Sequence, residues 1–254
     1  MNRNRTILMG ISEGSSPEKI IADMLSSFSD GADVFGFELS RVDNKYKNKE
    51  TYRRILSNSG SKPVYVTNYR GLTNKGKTDD RLLEELVEII GCGASVADIM
   101  ADLYDEQPMG FSFSPEAARR QTLAAGRIHD AGGEVLFSAH TGKFLPCGKV
   151  LDMAKAEVDR GADIVKIVTM SDSYDELLEN LKTGVELKRQ IDKPILFLSC
   201  GEYSRIHRLV GYMFGCDIML GLHDYSNECT VFQPTLKNCM AMLSNNCWQP
   251  GRQS

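Results

Sequence analysis

The chain has 254 residues, 42% of them hydrophobic, and a formal net charge of −4 with an isoelectric point near 5.7. This length and apolar content suffice for a large core, and a single α/β barrel commonly takes about 250 residues. The acidic balance without a basic stripe argues against a binder of nucleic acid, and no apolar run reaches the roughly 18 residues that a membrane helix needs.

The cysteines are odd in number, scattered and without a C-x-x-C pair, which indicates neither a zinc site nor a disulfide framework. They are Cys92, Cys147, Cys200, Cys216, Cys229, Cys239 and Cys247. Such a set is typical of reduced cytosolic thiols that fill a core. The first residues, Met-Asn-Arg-Asn-Arg-Thr, lack the apolar region of a secretory signal. These features predict a cytoplasmic protein without a metal site.

Strand-like runs alternate with helical patterns in the first half of the chain, starting from the run TILMGISE. The predicted strands are Thr6–Glu13, Asp33–Ser40, Pro63–Tyr69 and Val96–Leu103. The predicted helices are Pro17–Phe28, Lys49–Ser57, Asp79–Ile90 and Pro115–Ala131. On the second strand Phe35, Phe37 and Leu39 share one face, so we expect them to face the helices and Glu38 to face the interior of a sheet or barrel.

The same alternation continues in the second half. The predicted strands are Glu134–Thr141, Asp163–Met170, Ile195–Cys200 and Asp217–Leu222. The predicted helices are Lys149–Arg160, Asp175–Gln190, Tyr203–Phe214 and Pro234–Leu243. Eight strand–helix pairs predict an α/β fold, a single (β/α)8 TIM barrel over residues 1–254 with a loose tail from about residue 245. An open doubly wound sheet is the alternative, but no Gly-rich phosphate-binding loop follows the first strand.

The sixth predicted strand carries a lysine, Lys166, in the middle of an apolar run. Burying an ammonium group costs several kcal/mol unless it is paired, and a neutral amine in a dry pocket is a nucleophile that can form a Schiff base. The alternative is a lysine whose stem lies on apolar surface while its tip reaches water or pairs with a carboxylate. We prefer the functional interpretation, because lysine is rarely buried without a partner or a task.

The barrel topology predicts that polar residues from several strand ends meet at one mouth. These residues are Glu38, Arg70, His140, Lys166, Arg208 and Gln233, with His223 as a weaker candidate. Adjacent strands lie about 4.8 Å apart, so His140 and Lys166 can share one small substrate. A histidine is suited to proton transfer near neutral pH, which favours a catalytic role beside a buried lysine.

Several ordered segments resemble the type I 3-dehydroquinate dehydratases. They are Ser138-Ala139-His140, the strand Asp163-Ile164-Val165-Lys166-Ile167, Lys193-Pro194-Ile195, and the R-x-x-G-x-x-F-G run from Arg208 to Gly215. The resemblance implies a lyase of the shikimate or quinate pathway that dehydrates 3-dehydroquinate without metal or organic cofactor. It also implies that Lys166 forms the imine and that His140 transfers protons. Glu38, Arg70, Arg208 and Gln233 would bind substrate.

The chain departs from the family pattern around the substrate. Ser40 stands where the family has an arginine, with Arg41 one place late, and Arg70 matches only after a one-residue shift. Asn74 lies near the position of a glutamate that hydrogen-bonds the family's catalytic histidine, and Cys229 replaces a serine. We therefore expect that the lysine and the histidine of imine catalysis are kept, while some residues that contact substrate differ from those of the family. We also expect modest activity on 3-dehydroquinate.

The sequence is also compatible with two other classes of function. One is a related lysine-dependent barrel lyase, either a paralogue for another carboxylated β-hydroxyketone or a class I aldolase that cleaves a carbon–carbon bond. The other is a non-catalytic barrel that binds a metabolite. The expected partner is a small carboxylated cyclic ketone, with no nucleic acid and no membrane, and the sequence leaves a homodimer open as the assembly.

Overall fold

The computed structural model of the chain describes residues 5–225 and 232–245. Eight strands lie within them: β1 Ile7–Ser12, β2 Val34–Glu38, β3 Val64–Thr67, β4 Val96–Met100, β5 Glu134–His140, β6 Ile164–Met170, β7 Ile195–Cys200 and β8 Ile218–Gly221. The α-helices that follow them are α1 Pro17–Ser29, α2 Lys49–Leu56, α3 Asp79–Ile90, α4 Pro115–Asp130, α5 Cys147–Asp159, α6 Tyr174–Gln190, α7 Ser204–Val210 and α8 Leu236–Asn245. Every predicted strand is therefore present, with ends that differ by a few residues.

The strands form one parallel sheet in the order β7-β6-β5-β4-β3-β2-β1-β8. Its two edges meet beside Asp217, just before β8. The Asp217 N–H donates to the Ile195 carbonyl at 2.8 Å, and the Asp217 carboxylate accepts from the Ile195 N–H at 2.9 Å. The sheet thus curls into a barrel, and the predicted (β/α)8 fold is confirmed.

Two apolar layers hold the barrel together, one inside it and one between the strands and the helices. Phe35, Phe37 and Leu39 are fully buried in the outer layer, as the alternation on β2 predicts. The inner layer is made by side chains of the opposite strand faces, among them Met9, Tyr65 and Leu136. A residue on the inner face of a strand near its C-terminal end therefore points to the barrel mouth.

One predicted helix has two parts. The segment predicted as helical over Tyr203–Phe214 is an α-helix, α7, up to Val210 and continues as a 3-10 helix over Gly211–Phe214. Gly215 follows with φ 111°, and a Cβ there would lie 2.3 Å from the Gly184 carbonyl oxygen of α6. The close approach of two backbones just after the 3-10 helix therefore requires glycine at this position.

Among the helices of residues 5–225 and 232–245, none is long and apolar enough to cross a bilayer. The expected loose tail after about residue 245 and the substituted Cys229 both lie outside the described residues.

Candidate active site

Lys166 lies on the inner face of β6 and is only 5% exposed. Its Nζ donates to three acceptors: the Tyr65 hydroxyl at 3.0 Å, the Tyr69 hydroxyl at 2.7 Å and Asp98 Oδ2 at 3.0 Å. An ammonium group has three N–H donors, so these contacts satisfy all of them. The lysine is buried, as the apolar strand predicts, but it is paired with a carboxylate and does not stand as an isolated neutral amine.

Asp98, on the inner face of β4, is the centre of this polar cluster and is 1% exposed. Its carboxylate accepts from the hydroxyls of Tyr65, of Tyr69 at 2.6 Å and of Ser138 at 2.5 Å, besides Lys166. Burial by itself raises the pKa of a carboxyl group, but the charge of Lys166 and the three hydroxyl donors outweigh it and lower the pKa of Asp98. Asp98 therefore stays an anion opposite the ammonium.

His140 ends β5 at the mouth, next to this cluster. Its Nε2 lies 3.4 Å from the Tyr69 hydroxyl, and the two rings meet edge to face with centroids 5.3 Å apart. The protein groups around the exposed imidazole lower the pKa of His140 by limiting its hydration, and the charge of Lys166 lowers it further while Asp98 opposes this. The residue keeps solvent contact, so the loss of hydration is smaller than for an enclosed ring. His140 is therefore a neutral base at neutral pH.

The two tyrosines are functional candidates that the sequence reasoning missed. Burial first and the Asp98 charge second raise the pKa of Tyr65 and of Tyr69 well above 10.0, so both remain phenols that donate to the carboxylate. Side chains alternate between the two faces of a strand, so every second residue of β3 faces the barrel interior. Tyr65 lies on this inner face, and Tyr69, two residues after the end of β3, continues the same alternation. The sequence carried one further indication of this cluster. Asp98 and Lys166 have opposite charges and lie within predicted strands, so the interior of one barrel would bring them together.

Arg208, from the helix after β7, and Gln233, from the loop after β8, lie in contact. The Arg208 guanidinium donates to Gln233 Oε1 at 2.7 Å, to the Ser199 carbonyl at 2.8 Å and weakly to Cys200 Sγ at 3.8 Å. Within residues 5–225 and 232–245 no carboxylate lies within 4.0 Å of it, and burial lowers its pKa. A buried guanidinium with neutral partners is suited to bind an anion.

Glu38, at the end of β2, is held by two neighbours. Arg41 Nε donates to Glu38 Oε2 at 2.9 Å, and the Ser40 hydroxyl donates to Oε1. Arg41 also approaches the Glu13 carboxylate at 3.6 Å. The arginine that stands one place late in the sequence thus reaches the glutamate, and Arg41 is a third functional candidate, after the two tyrosines, that the sequence did not assign.

Arg70 and Asn74 form hydrogen bonds away from the Lys166–His140 cluster. Arg70 binds both oxygens of Asp79, at 2.7 and 2.8 Å, and Asp102 Oδ1 at 2.9 Å, so two carboxylates already neutralise its charge. The buried Asn74 donates to Asn68 Oδ1 at 2.7 Å and to the carbonyl of Tyr69 at 2.8 Å. It supports the loop after β3, and the contact to His140 is made by the phenol of Tyr69.

The remaining candidates form no further catalytic cluster. His223 Nδ1 lies 2.6 Å from Asp30 Oδ2 on the β8 side of the rim. In the described part of the chain, His, Cys, Asp and Glu side chains nowhere gather in threes as metal ligands would. The cysteines that fall within it, Cys92, Cys147, Cys200, Cys216 and Cys239, are free thiols.

Comparison with known sequences identifies related proteins. A family model described as type I 3-dehydroquinase matches residues 18–228. A curated 3-dehydroquinate dehydratase from Neisseria gonorrhoeae (strain NCCP11945) is 31% identical over 109 residues, which cover 43% of this chain and 42% of the relative. Another from Aromatoleum aromaticum is 25% identical over 173 residues, with 66% and 62% covered. The aligned parts thus span less than two thirds of these relatives.

Solved structures show the same barrel. The 3-dehydroquinate dehydratase from Geobacillus kaustophilus HTA426 superposes with a TM-score of 0.81 at 16% identity, over 95% of this chain and 91% of that one. The type I enzyme from Clostridium difficile, solved with covalently modified comenic acid, gives 0.78 at 18% identity, over 95% and 92%. At these identities the likeness concerns the fold alone.

Proposed function

The chain belongs to the type I 3-dehydroquinase family, and we propose that it is a hydro-lyase that converts 3-dehydroquinate into 3-dehydroshikimate through an imine on Lys166. The observation that carries the proposal is the buried Lys166 Nζ in hydrogen-bond contact with Asp98 and with Tyr69, which in turn contacts His140. A nucleophile, a counter-ion and a neutral base thus meet at the C-terminal mouth of the barrel, where active sites of this fold lie.

Covalent catalysis would begin at Lys166. The amine, once deprotonated, adds to the C3 ketone, and loss of water gives an iminium ion. Its positive charge takes the place of the ammonium charge, so the Asp98 carboxylate 3.0 Å from Nζ continues to stabilise it. The iminium withdraws electrons from C2 and makes the C2 proton acidic enough to be removed.

His140 would carry the proton in the elimination. Its lowered pKa leaves the imidazole neutral, so it can take the C2 proton as a base and then, as imidazolium, protonate the departing C1 hydroxyl. Hydrolysis of the imine releases 3-dehydroshikimate and returns Lys166 to its amine. Each such proton transfer contributes about 10²- to 10⁴-fold to the rate.

The substrate would be held on two sides of the mouth. Arg208, with Gln233 beside it, supplies the charge for the ring carboxylate, and Glu38 with Arg41 supplies hydrogen-bond partners for ring hydroxyls. Arg70 would be a further substrate-binding residue on this side, but its guanidinium already pairs with Asp79 and Asp102, so Arg41 is the better placed arginine. Because the hydroxyl side differs from the family pattern at Ser40, we expect modest activity on 3-dehydroquinate.

Family membership favours this dehydration over an aldolase or a non-catalytic barrel. We also propose a cytoplasmic enzyme whose partner is a small carboxylated ketone, with no nucleic acid, consistent with a net charge of −4. We further propose that the chain assembles as a homodimer, which light scattering would test.

The test is covalent trapping. The protein is incubated with 3-dehydroquinate and borohydride, and the adduct is located by peptide mass spectrometry while 3-dehydroshikimate is followed by its absorbance. We expect one adduct on Lys166, which Lys166→Met abolishes together with turnover. Lys182→Ala, which changes a 67% exposed lysine on α6, is the matched control and should keep both. Wild-type turnover by Lys166→Met would refute the proposal, and a product of carbon–carbon cleavage would assign the aldolase instead.

A further inference from the structure

The Tyr69 hydroxyl lies between the lysine and the histidine. Its oxygen is 2.7 Å from Lys166 Nζ, 2.6 Å from Asp98 Oδ2 and 3.4 Å from both Ser138 Oγ and His140 Nε2. In the described part of the chain no hydrogen bond joins Lys166 directly to His140, so the phenol is the group that touches both. A proton that passes between them has this oxygen as its shortest route.

The hydrogens around Tyr69 can be counted. The phenol has one hydrogen, and at 2.6 Å it is donated to Asp98, while the phenol oxygen accepts from the Lys166 ammonium. Rotation of that O–H toward Nε2 leaves Asp98 with donors from Ser138 and Tyr65 as well as from Lys166. The carboxylate therefore stays hydrogen-bonded in both arrangements, and the rotation exposes no unpaired charge.

Imine chemistry requires a proton to move from the lysine. An ammonium cannot attack a ketone, and a neutral imidazole cannot protonate the hydroxyl that leaves from the addition product. We propose that Tyr69 is a catalytic residue that relays a proton from Lys166 to His140 before the amine attacks. The proposal rests on the proposed imine function and adds to it a residue that the family resemblance did not assign.

The steps balance without another reactant. Lys166–NH3⁺ gives a proton to the Tyr69 oxygen as the phenol gives its own hydrogen to His140 Nε2, which leaves a free amine, an intact phenol and an imidazolium. The amine adds to the ketone to form a carbinolamine. His140 then returns the proton to the carbinolamine oxygen, so that water leaves and an iminium forms. His140 is neutral again and ready to take the C2 proton.

Tyr65 provides a matched control for this idea. It also accepts from Lys166 Nζ, at 3.0 Å, and donates to Asp98, but its hydrogen bonds do not include His140. Tyr65→Phe and Tyr69→Phe therefore each remove one phenol from the lysine and the carboxylate. The loss of the route to the imidazole is specific to Tyr69→Phe.

The experiment measures the rate of imine formation by rapid-quench borohydride trapping with 3-dehydroquinate, in single turnover. Tyr69→Phe should slow the trapping of Lys166 by about 100-fold, the scale of one proton-transfer contribution. Tyr65→Phe should slow it by no more than about tenfold, the scale of one neutral hydrogen bond. Equal losses in the two variants would reduce Tyr69 to a structural support, and an unchanged rate in Tyr69→Phe would overturn the relay.

A second probe separates this inference from the proposed function. Formaldehyde with cyanoborohydride methylates any lysine through an imine, and peptide mass spectrometry isolates the rate at Lys166. If 3-dehydroquinate gives no adduct with the wild type, the proposed function fails, while the ratio of the two variants with formaldehyde still decides the relay. If Tyr69→Phe does not fold, slower wild-type trapping at Lys166 in D2O supports the relay, and an unchanged rate contradicts it.

Discussion

The ammonium of Lys166 and the carboxylate of Asp98 form an ion pair inside the barrel, with Nζ 3.0 Å from Oδ2, although β5 separates their strands. Ser138 on that intervening strand pairs in register with Lys166 and donates to the other carboxylate oxygen at 2.5 Å. The pair is thus fixed from three neighbouring strands. Such a pair is costly to bury, and its benefit is an oriented nucleophile with a ready counter-ion.

The pair should behave as a unit when it is mutated. Lys166→Met and Asp98→Asn should each lower the free energy of unfolding by about 3–5 kcal/mol, because each leaves a buried charge without its partner. The double variant should lose much less than the sum. Urea unfolding of the wild type, the two single variants and the double variant gives a double-mutant cycle. If the loss of unfolding free energy in the double variant equals the sum of the single losses, the two groups do not interact.

Gly36 makes room for one phenol of the cluster. A Cβ at this position on β2 would lie 2.6 Å from the Tyr65 ring, so Gly36→Ala should displace Tyr65 from Lys166 and Asp98. We expect lower turnover and lower stability. Gly126→Ala, in α4 with no atom within 4 Å of the new methyl group, is the control and should raise stability by up to about 1 kcal/mol. Normal turnover in Gly36→Ala would mean that Tyr65 is dispensable.

Arg208 should decide the affinity for a carboxylate. Arg208→Ala removes the anion partner and should lower kcat/KM by about 30-fold or more, since losing one member of a buried charge pair costs about 2–5 kcal/mol. Arg189→Ala, at a 68% exposed position on α6, should leave kcat/KM unchanged. Steady-state kinetics on 3-dehydroquinate make the comparison. If Arg208→Ala matches the wild type, the carboxylate binds elsewhere.

Glu157 on α5 should make stability depend on pH. It is fully buried, its Oε2 accepts from the Lys166 backbone N–H at 3.3 Å, and burial raises its pKa well above 4.5. A raised folded-state pKa means that the stability contributed by the protonated carboxyl is full below about pH 4.5 and is lost as pH rises toward that pKa. Glu157→Gln should therefore flatten the fall in unfolding free energy above about pH 5.

Urea unfolding at several pH values measures this slope. Glu186→Gln is the matched control, because the hydrogen bond from Arg189 lowers the pKa of Glu186 and its contribution is lost only as pH falls. The control should keep the wild-type slope above about pH 5. If Glu157→Gln shows the same slope as the wild type, Glu157 ionises without cost in the folded protein.

Local patterns in the sequence were sufficient for the fold and for part of the site. Each strand and helix is marked by its own periodicity, and the carboxyl ends of eight parallel strands in a barrel must meet at one mouth. The sequence alone therefore places Lys166 near His140 on neighbouring strands, and Arg208 and Gln233 at the same mouth. The apolar strand around Lys166 also predicted its burial.

The sequence by itself thus determined the barrel, the buried lysine and the neighbouring histidine. The tertiary structure alone decided what Lys166 and His140 touch. Asp98 lies on β4 and Tyr69 just after β3, neither of which adjoins β6. Their contacts form across the barrel interior, where the distances depend on strand tilt and stagger. Arg41 reaches Glu38 although it stands one place late, because a long side chain spans the shift of one residue. Such contacts depend on where the ends of side chains lie in space, and the order of residues in the chain does not specify those positions.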